Sequence, residues 1–120
     1  MPRVVVIDED EPNRTLMREW LCIHGYEVVD LTPFEAHAGI DADLILLDLP
    51  RLRHRGRDRV RRVSHMFPGT PIVGLSTQLP ASLTLGSKVL SELGVSQLLS
   101  KPSSREELLL AVDEVLASGS

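Results

Sequence analysis

Short apolar runs punctuate the chain: Val4–Ile7, Val28–Leu31, Leu44–Leu47, Ile72–Leu75 and Leu98–Leu99. Most are rich in β-branched residues, Leu or Ile, and they do not alternate with polar residues. Continuous apolar strands of this kind suit a parallel sheet covered on both faces. Between them the period lengthens to that of a helix. Leu16, Met17, Trp20 and Leu21 form one stripe, with Pro12 in the first turn and Gly25 at the position after the end. Val60, Val63 and Phe67 form a second, ended by Pro68-Gly69, and Leu83, Leu85, Val89, Leu90 and Leu93 a third, stopped by Gly94. Ser103-Ser104-Arg105-Glu106-Glu107 offers two overlapping capping boxes ahead of Leu108, Val112, Val115 and Leu116. Residues 33–39 have room for a turn or two of helix. The predicted order, β-α-β-(short α)-β-α-β-α-β-α, is α/β and argues for a doubly wound parallel sheet.

Length and composition narrow this picture. A chain of 120 residues fits one domain, assigned to 1–117, with 118–120 as a tail or the start of a linker. Aromatics make up only 3%, so the core must be built from Leu, Val, Ile and Ala. The single cysteine, Cys22, excludes an internal disulfide and a cysteine zinc site, and Cys22 and Trp20 are read as helix packing. His24, His37, His54 and His65 share no metal-ligand spacing and are read as structural or solvated. No apolar run approaches the ~18 residues needed to span a bilayer, and the N-terminus is too short and acidic for a signal peptide. A cytoplasmic location without membrane contact is expected.

The charge is uneven. Net charge is −4, but residues 51–62 carry seven arginines against Asp58, a local +6 that leaves −10 on the rest of the chain. The first reading of this stretch is a solvated face. The second is a surface at Arg51–Arg62 that steers an acidic partner or nucleic acid, although direct nucleic-acid contact is not expected of the domain.

In a doubly wound sheet the ligand site lies outside the carboxyl ends of the strands. Here the first strand ends in Asp8-Glu9-Asp10, the third in Asp48, the fourth in Ser76-Thr77 and the fifth in Lys101-Pro102. Three carboxylates, a hydroxyl and an ammonium would meet on one rim. Crowded carboxylates that one lysine cannot balance call for a hard divalent cation, and magnesium favours one or two carboxylates plus waters and phosphate oxygens. The set suits a phosphoryl group, with a carboxylate as nucleophile. Asp10 and Glu11 are read instead as caps of the first helix.

These motifs carry a resemblance. Val5-Val6-Ile7-Asp8-Glu9-Asp10-Glu11, Asp43-Leu44-Ile45-Leu46-Leu47-Asp48, Gly56, Pro71-Ile72-Val73-Gly74-Leu75-Ser76, and Gly94 through Lys101-Pro102 resemble, in order, the receiver domain of two-component response regulators. The resemblance covers essentially the whole chain. It implies a flavodoxin-like sheet of five parallel strands in order 2-1-3-4-5, consistent with right-handed crossovers, and a cis Lys-Pro peptide. It further implies that Asp48 is the phosphoacceptor, that Asp8, Glu9, Asp48 and the Pro50 carbonyl hold magnesium, and that Ser76, Thr77 and Lys101 meet the phosphate. A histidine kinase or phosphotransfer protein would be the donor, and a second copy a docking partner. The domain would be a signalling switch rather than an enzyme acting on a separate substrate. Three positions depart from the pattern: Leu52 replaces a proline, Thr77 a small residue, and Leu98 an aromatic switch residue.

Two other readings compete. Asp8-Glu9-Asp10 also resembles the opening of haloacid-dehalogenase-type phosphatases, but that family needs an acidic pair after its lysine, and Glu106-Glu107 falls in a capping box. A receiver-like protein-binding module that is never phosphorylated is the other, kept open by Thr77 and Leu98.

Overall fold

The computed structural model describes residues 1–52, 54–79, 81–82 and 88–118. The apolar runs form β1 (Arg3–Ile7), β2 (Glu27–Leu31), β3 (Leu44–Asp48), β4 (Ile72–Ser76) and β5 (Gln97–Ser100). All pairings are parallel, in the order β2-β1-β3-β4-β5. The helices are α1 (Glu11–Ile23), α2 (His54–Met66), α3 (Lys88–Leu93) and α4 (Arg105–Ser118), the last running one residue beyond the expected boundary at 117.

Successive side chains of a strand point to opposite faces, so one set of runs fills two cores. Val4, Val6, Leu44, Leu46, Val73, Leu75 and Leu99 pack with Met17 and Leu21 of α1 and with Leu108, Val112 and Val115 of α4. On the other face, Val5, Ile7, Ile45, Leu47, Ile72 and Leu98 pack with Val60, Val63 and Phe67 and with Leu90 and Leu93 of α3. Because β1, β3 and β4 are covered on both sides, their residues are buried almost without exception, whereas edge strand β2 is only half-buried.

Several local expectations are corrected. Residues 33–39 form turns and no helix. Thr32 and Glu35 close a single turn on themselves, the Thr32 N–H donating to Glu35 Oε1 at 2.8 Å and the Glu35 N–H to the Thr32 carbonyl at 3.0 Å. Gly39 at φ +97° then leaves helical space, Phe34 faces solvent, and Ala36, Ile40 and Ala42 cover the sheet instead. The α1 stripe is narrower than expected, with Leu16 and Cys22 exposed; Met17 and Leu21, one turn apart, define its centre, and Trp20 is partly buried. Asp10 occupies the N-cap of α1, but its side chain makes no capping bond. Only one capping box of α4 is half made: Ser104 Oγ accepts the Glu107 N–H at 3.1 Å, while the Glu107 carboxylate takes a hydrogen bond from Ser82. Leu83 and Leu85 lie outside the described residues.

Helices α1 and α4 are joined at one end by polar groups. His24 Nε2 lies 3.0 Å from Asp113 Oδ2, and the Tyr26 hydroxyl donates to the same carboxylate. Burial first, then the hydrogen bond and the negative charge of Asp113, push the Tyr26 phenol up to about 12. The folded state thus favours the neutral phenol, a contribution present below pH 10 and lost as the pH rises through about 12. Tyr26 is the only tyrosine, so phenolate absorbance reads it alone. Its midpoint should fall near 12 rather than 10 while the circular dichroism stays native, and Asp113→Asn should lower it partway. A wild-type midpoint at 10 would refute the Tyr26–Asp113 contact.

Candidate phosphoacceptor site

Strand register builds the site. Ile7 pairs with Leu47, so Asp8 leaves β1 beside Asp48 at the end of β3. Asp48 pairs with Leu75, which sets Ser76 one residue further along β4. Ser76 pairs with Ser100, and Lys101 follows β5 with its N–H donating to the Ser76 carbonyl at 2.9 Å. The Lys101-Pro102 peptide is cis.

Lys101 is the junction of the site. Its Nζ donates to Asp8 Oδ2 at 3.0 Å and to Asp48 Oδ1 at 3.1 Å. Asp8 is fully buried and held further by the Asp10 N–H and by Asn13 Nδ2, each at 2.8 Å. Asp48 is 8% exposed, and its Oδ2 receives no hydrogen bond among the described residues. One aspartate is tied on both oxygens and the other keeps a free one. Ser76 is fully buried, its Oγ accepting the Gln78 N–H at 3.1 Å. Thr77 and Pro50 are exposed at the rim.

The electrostatics follow from two carboxylates sharing one ammonium. Burial and the negative charge of Asp8 push the Asp48 carboxyl up, and Lys101 only partly offsets them. Burial alone would lower Lys101, but its hydrogen bonds and charge pairing with Asp8 and Asp48 prevail and raise it. The site therefore carries a surplus negative charge. Such a pair suits a hard cation that takes one or two carboxylates and fills its remaining positions with water or phosphate oxygens.

The third expected carboxylate does not join them. Glu9 is exposed and turned to Arg59, 3.4 Å away, and among the described residues no three His, Cys, Asp or Glu side chains are grouped to hold a metal. Leu98 lies beneath the rim, fully buried. It packs against Gly74, where an added Cβ would come within 2.8 Å of both Leu98 Cδ1 and Leu49 Cδ1.

Four contributing residues escape the sequence pattern. Asn13 reaches Asp8 from the first turns of α1, and Arg14 Nη1 donates to the Asp8 carbonyl at 2.7 Å. Arg59 Nη1 donates to the Asp48 carbonyl at 3.1 Å, and Gln78 accepts the Leu52 N–H at 3.0 Å. The available signal was position only: a polar residue within two helical turns of a strand end, and one arginine within a run of seven.

A raised carboxyl pKa means that the ionised form is less stable in the folded than in the unfolded chain. The cost of ionised Asp48 is absent below its unfolded pKa near 3.8 and grows as the pH rises through the folded value. Asp48→Asn keeps an acceptor for Lys101 and removes the charge. Without added metal at neutral pH it should melt higher by about 4 °C, the shift that ~1 kcal/mol produces in a domain of this size. That advantage should vanish in acid. Scanning calorimetry showing equal or lower melting at neutral pH would contradict the surplus charge.

No protein-family model and no curated protein matches the chain, whereas many solved structures do. A CheY-like response regulator receiver domain protein from Methanospirillum hungatei aligns with a TM-score of 0.80 at 19% identity, covering 99% of this chain and 96% of that one. Chemotaxis protein CheY4 of Vibrio cholerae aligns at 0.73 and 24% identity, covering 96% and 98%. The non-phosphorylated HemR receiver domain of Leptospira biflexa aligns at 0.75 and 24%, covering 97% and 94%. The chain has the fold of CheY-like response regulator receiver domains.

Proposed function

We propose that this domain is a phosphoacceptor switch in which Asp48 takes a phosphoryl group from a histidine kinase or phosphotransfer protein. One observation carries the reading: Lys101 clamps Asp8 and Asp48 together while leaving Asp48 Oδ2 free. That oxygen forms the new bond to phosphorus as the bond from phosphorus to the donor breaks, and the electron pair leaves with the donor. Water later cleaves the acyl phosphate and restores the carboxylate. Lys101 lies where it can pair with a phosphoryl oxygen, and the buried Ser76 hydroxyl can donate to another on leaving Gln78. Asp8, Glu9, Asp48 and the Pro50 carbonyl would hold magnesium. Glu9 would then exchange Arg59 for the ion. Bound there, magnesium neutralises the charge on the transferring oxygens.

The competing phosphatase reading loses support from its required acidic pair. Glu106 is exposed beside Arg105, and Glu107 bonds Ser82. Acetyl phosphate with magnesium should add one phosphoryl mass to the wild type and none to Asp48→Asn or to a sample with chelator. Equal labelling of wild type and Asp48→Asn would reject Asp48. Absent labelling of both would favour a protein-binding module that works without phosphorylation.

Output should be muted on one side of the domain. Leu98 is fully buried against Gly74 and has no ring to rotate and no polar tip to expose, so two packings of it would differ little in solvation. A ligand shifts an equilibrium only by its differential interaction with the two states. With beryllofluoride and magnesium, amide chemical shifts should move strongly around residues 8–13, 48–59 and 76–79 and weakly across 88–116. Strong shifts throughout 88–116 would show conventional coupling to the far surface.

A further inference from the structure

A second feature borders the same rim, and its arginines Arg51, Arg55 and Arg62 take no part in the chemistry proposed at Asp48. A groove of about 440 Å³ opens beside Glu9 and Pro50, walled by Arg51, Arg55, Arg59 and Arg62, with Asp58 as the acid contributed by α2. Arg59 is engaged with the Asp48 carbonyl and with Glu9. Arg51, Arg55 and Arg62 are exposed, and their side chains make no hydrogen bond or ion pair among the described residues. Arg53 lies outside those residues.

The groove has fixed walls. At Gly56 an added Cβ would collide with the Arg51 carbonyl oxygen. Glycine there lets the 50–52 loop sit directly on the first turn of α2. From the other side, Gln78 Oε1 holds the Leu52 N–H at 3.0 Å. Arg51 is thereby kept near Arg55, and Arg55, Arg59 and Arg62 follow one another along one flank of the helix.

Charge and position together define what fits. The basic segment is local, +6 over residues 51–62 on a chain whose remainder carries −10, and the groove lining sets four of its arginines against Glu9 and Asp58. A long polyanion such as duplex nucleic acid would overrun the patch and meet acid, whereas a short acidic segment would stay inside it. The groove shares Glu9, Pro50 and Arg59 with the rim of Asp48. Asp48 is only 8% exposed, so a protein donor has to approach closely at this rim, beside the groove.

We propose that the groove receives a short acidic segment of the protein that phosphorylates Asp48, an inference that rests on the phosphoacceptor reading. Unpaired arginines at a docking rim raise the rate of encounter with an acidic partner and orient it. The contact is salt-sensitive, because exposed charges are screened within about 8 Å at physiological ionic strength.

The test is fluorescence anisotropy of a labelled hexaglutamate peptide with the unphosphorylated full chain at low salt, with labelled duplex DNA as competitor. The peptide should bind and be released by added salt. Arg55→Glu/Arg62→Glu should weaken it about tenfold, and the milder Arg62→Gln by roughly threefold. Arg57→Glu/Arg61→Glu makes the same charge change on α2 outside the groove and should weaken it less than about twofold. Equal loss in the two double variants, absence of peptide binding, or displacement of the peptide by duplex DNA would overturn the proposal. Peptide capture needs no chemistry at Asp48, and acetyl phosphate labelling needs no groove. Absent labelling would overturn the donor assignment alone, and absent binding the groove alone.

Discussion

Lys101 Nζ sits 3.0 Å from Asp8 and 3.1 Å from Asp48, and this one ammonium holds together three segments far apart in sequence. Its position depends on β5 remaining paired to β4, because the Lys101 N–H donates to the Ser76 carbonyl. One positive charge between two carboxylates cannot satisfy both equally. Asp8 takes three donors and is fully buried, so its charge is fixed in place. Asp48 is left with a raised pKa and an oxygen that takes no hydrogen bond among the described residues. Under the proposed reading this inequality would divide the roles: the restrained aspartate would be a holder, and the one with the unengaged oxygen would be the nucleophile.

The missing helix between β2 and β3 shapes the neighbourhood of that site. A full helix would cover the sheet beside Ile7 and Leu47; here turns carrying Pro33 and Ala36 do so, leaving a gap of only about 20 Å³. Arg59 and Arg62 line the same gap. Long arginine stems can cover apolar surface while their heads stay in water. Part of the basic segment thus does the work of a core helix with its methylenes and presents its charge at the rim.

The strands were legible from their apolar runs, their order from the resemblance and right-handed crossovers, and the strand-end residues Asp8, Asp48, Ser76 and Lys101 because a parallel sheet brings all its carboxyl ends to one edge. Once β1 and β3 are neighbours, the residues after them must be neighbours too. The behaviour of Glu9 was not legible, since a carboxylate one residue past a strand end can turn inward or outward. Its choice rests on Arg59, which lies eleven residues past Asp48 and is visible in sequence only as one member of an arginine run. Asn13 was hidden for a similar reason: nothing in residues 11–16 says which side of the first turns of α1 faces Asp8. The turns at 33–39 were missed because the Thr32–Glu35 pair is a helix-start signal whose continuation fails only when Gly39 and the packing of Ala36 and Ile40 are known.

Arg59 is where the charge of α2 meets the chemistry of β3. Its two terminal nitrogens are occupied by the Asp48 carbonyl and by Glu9, so it adds little free charge to the groove. Attraction for an anion therefore falls on Arg51, Arg55 and Arg62, which stand outside the ion-paired centre. A guanidinium held by a backbone carbonyl at the end of β3 also fixes α2 against the strand that carries Asp48. In the proposed switch, recognition and chemistry would use separate charges on one rigid support, and a partner drawn to Arg51, Arg55 and Arg62 would be brought to Asp48 without drawing Lys101 from the two carboxylates it holds.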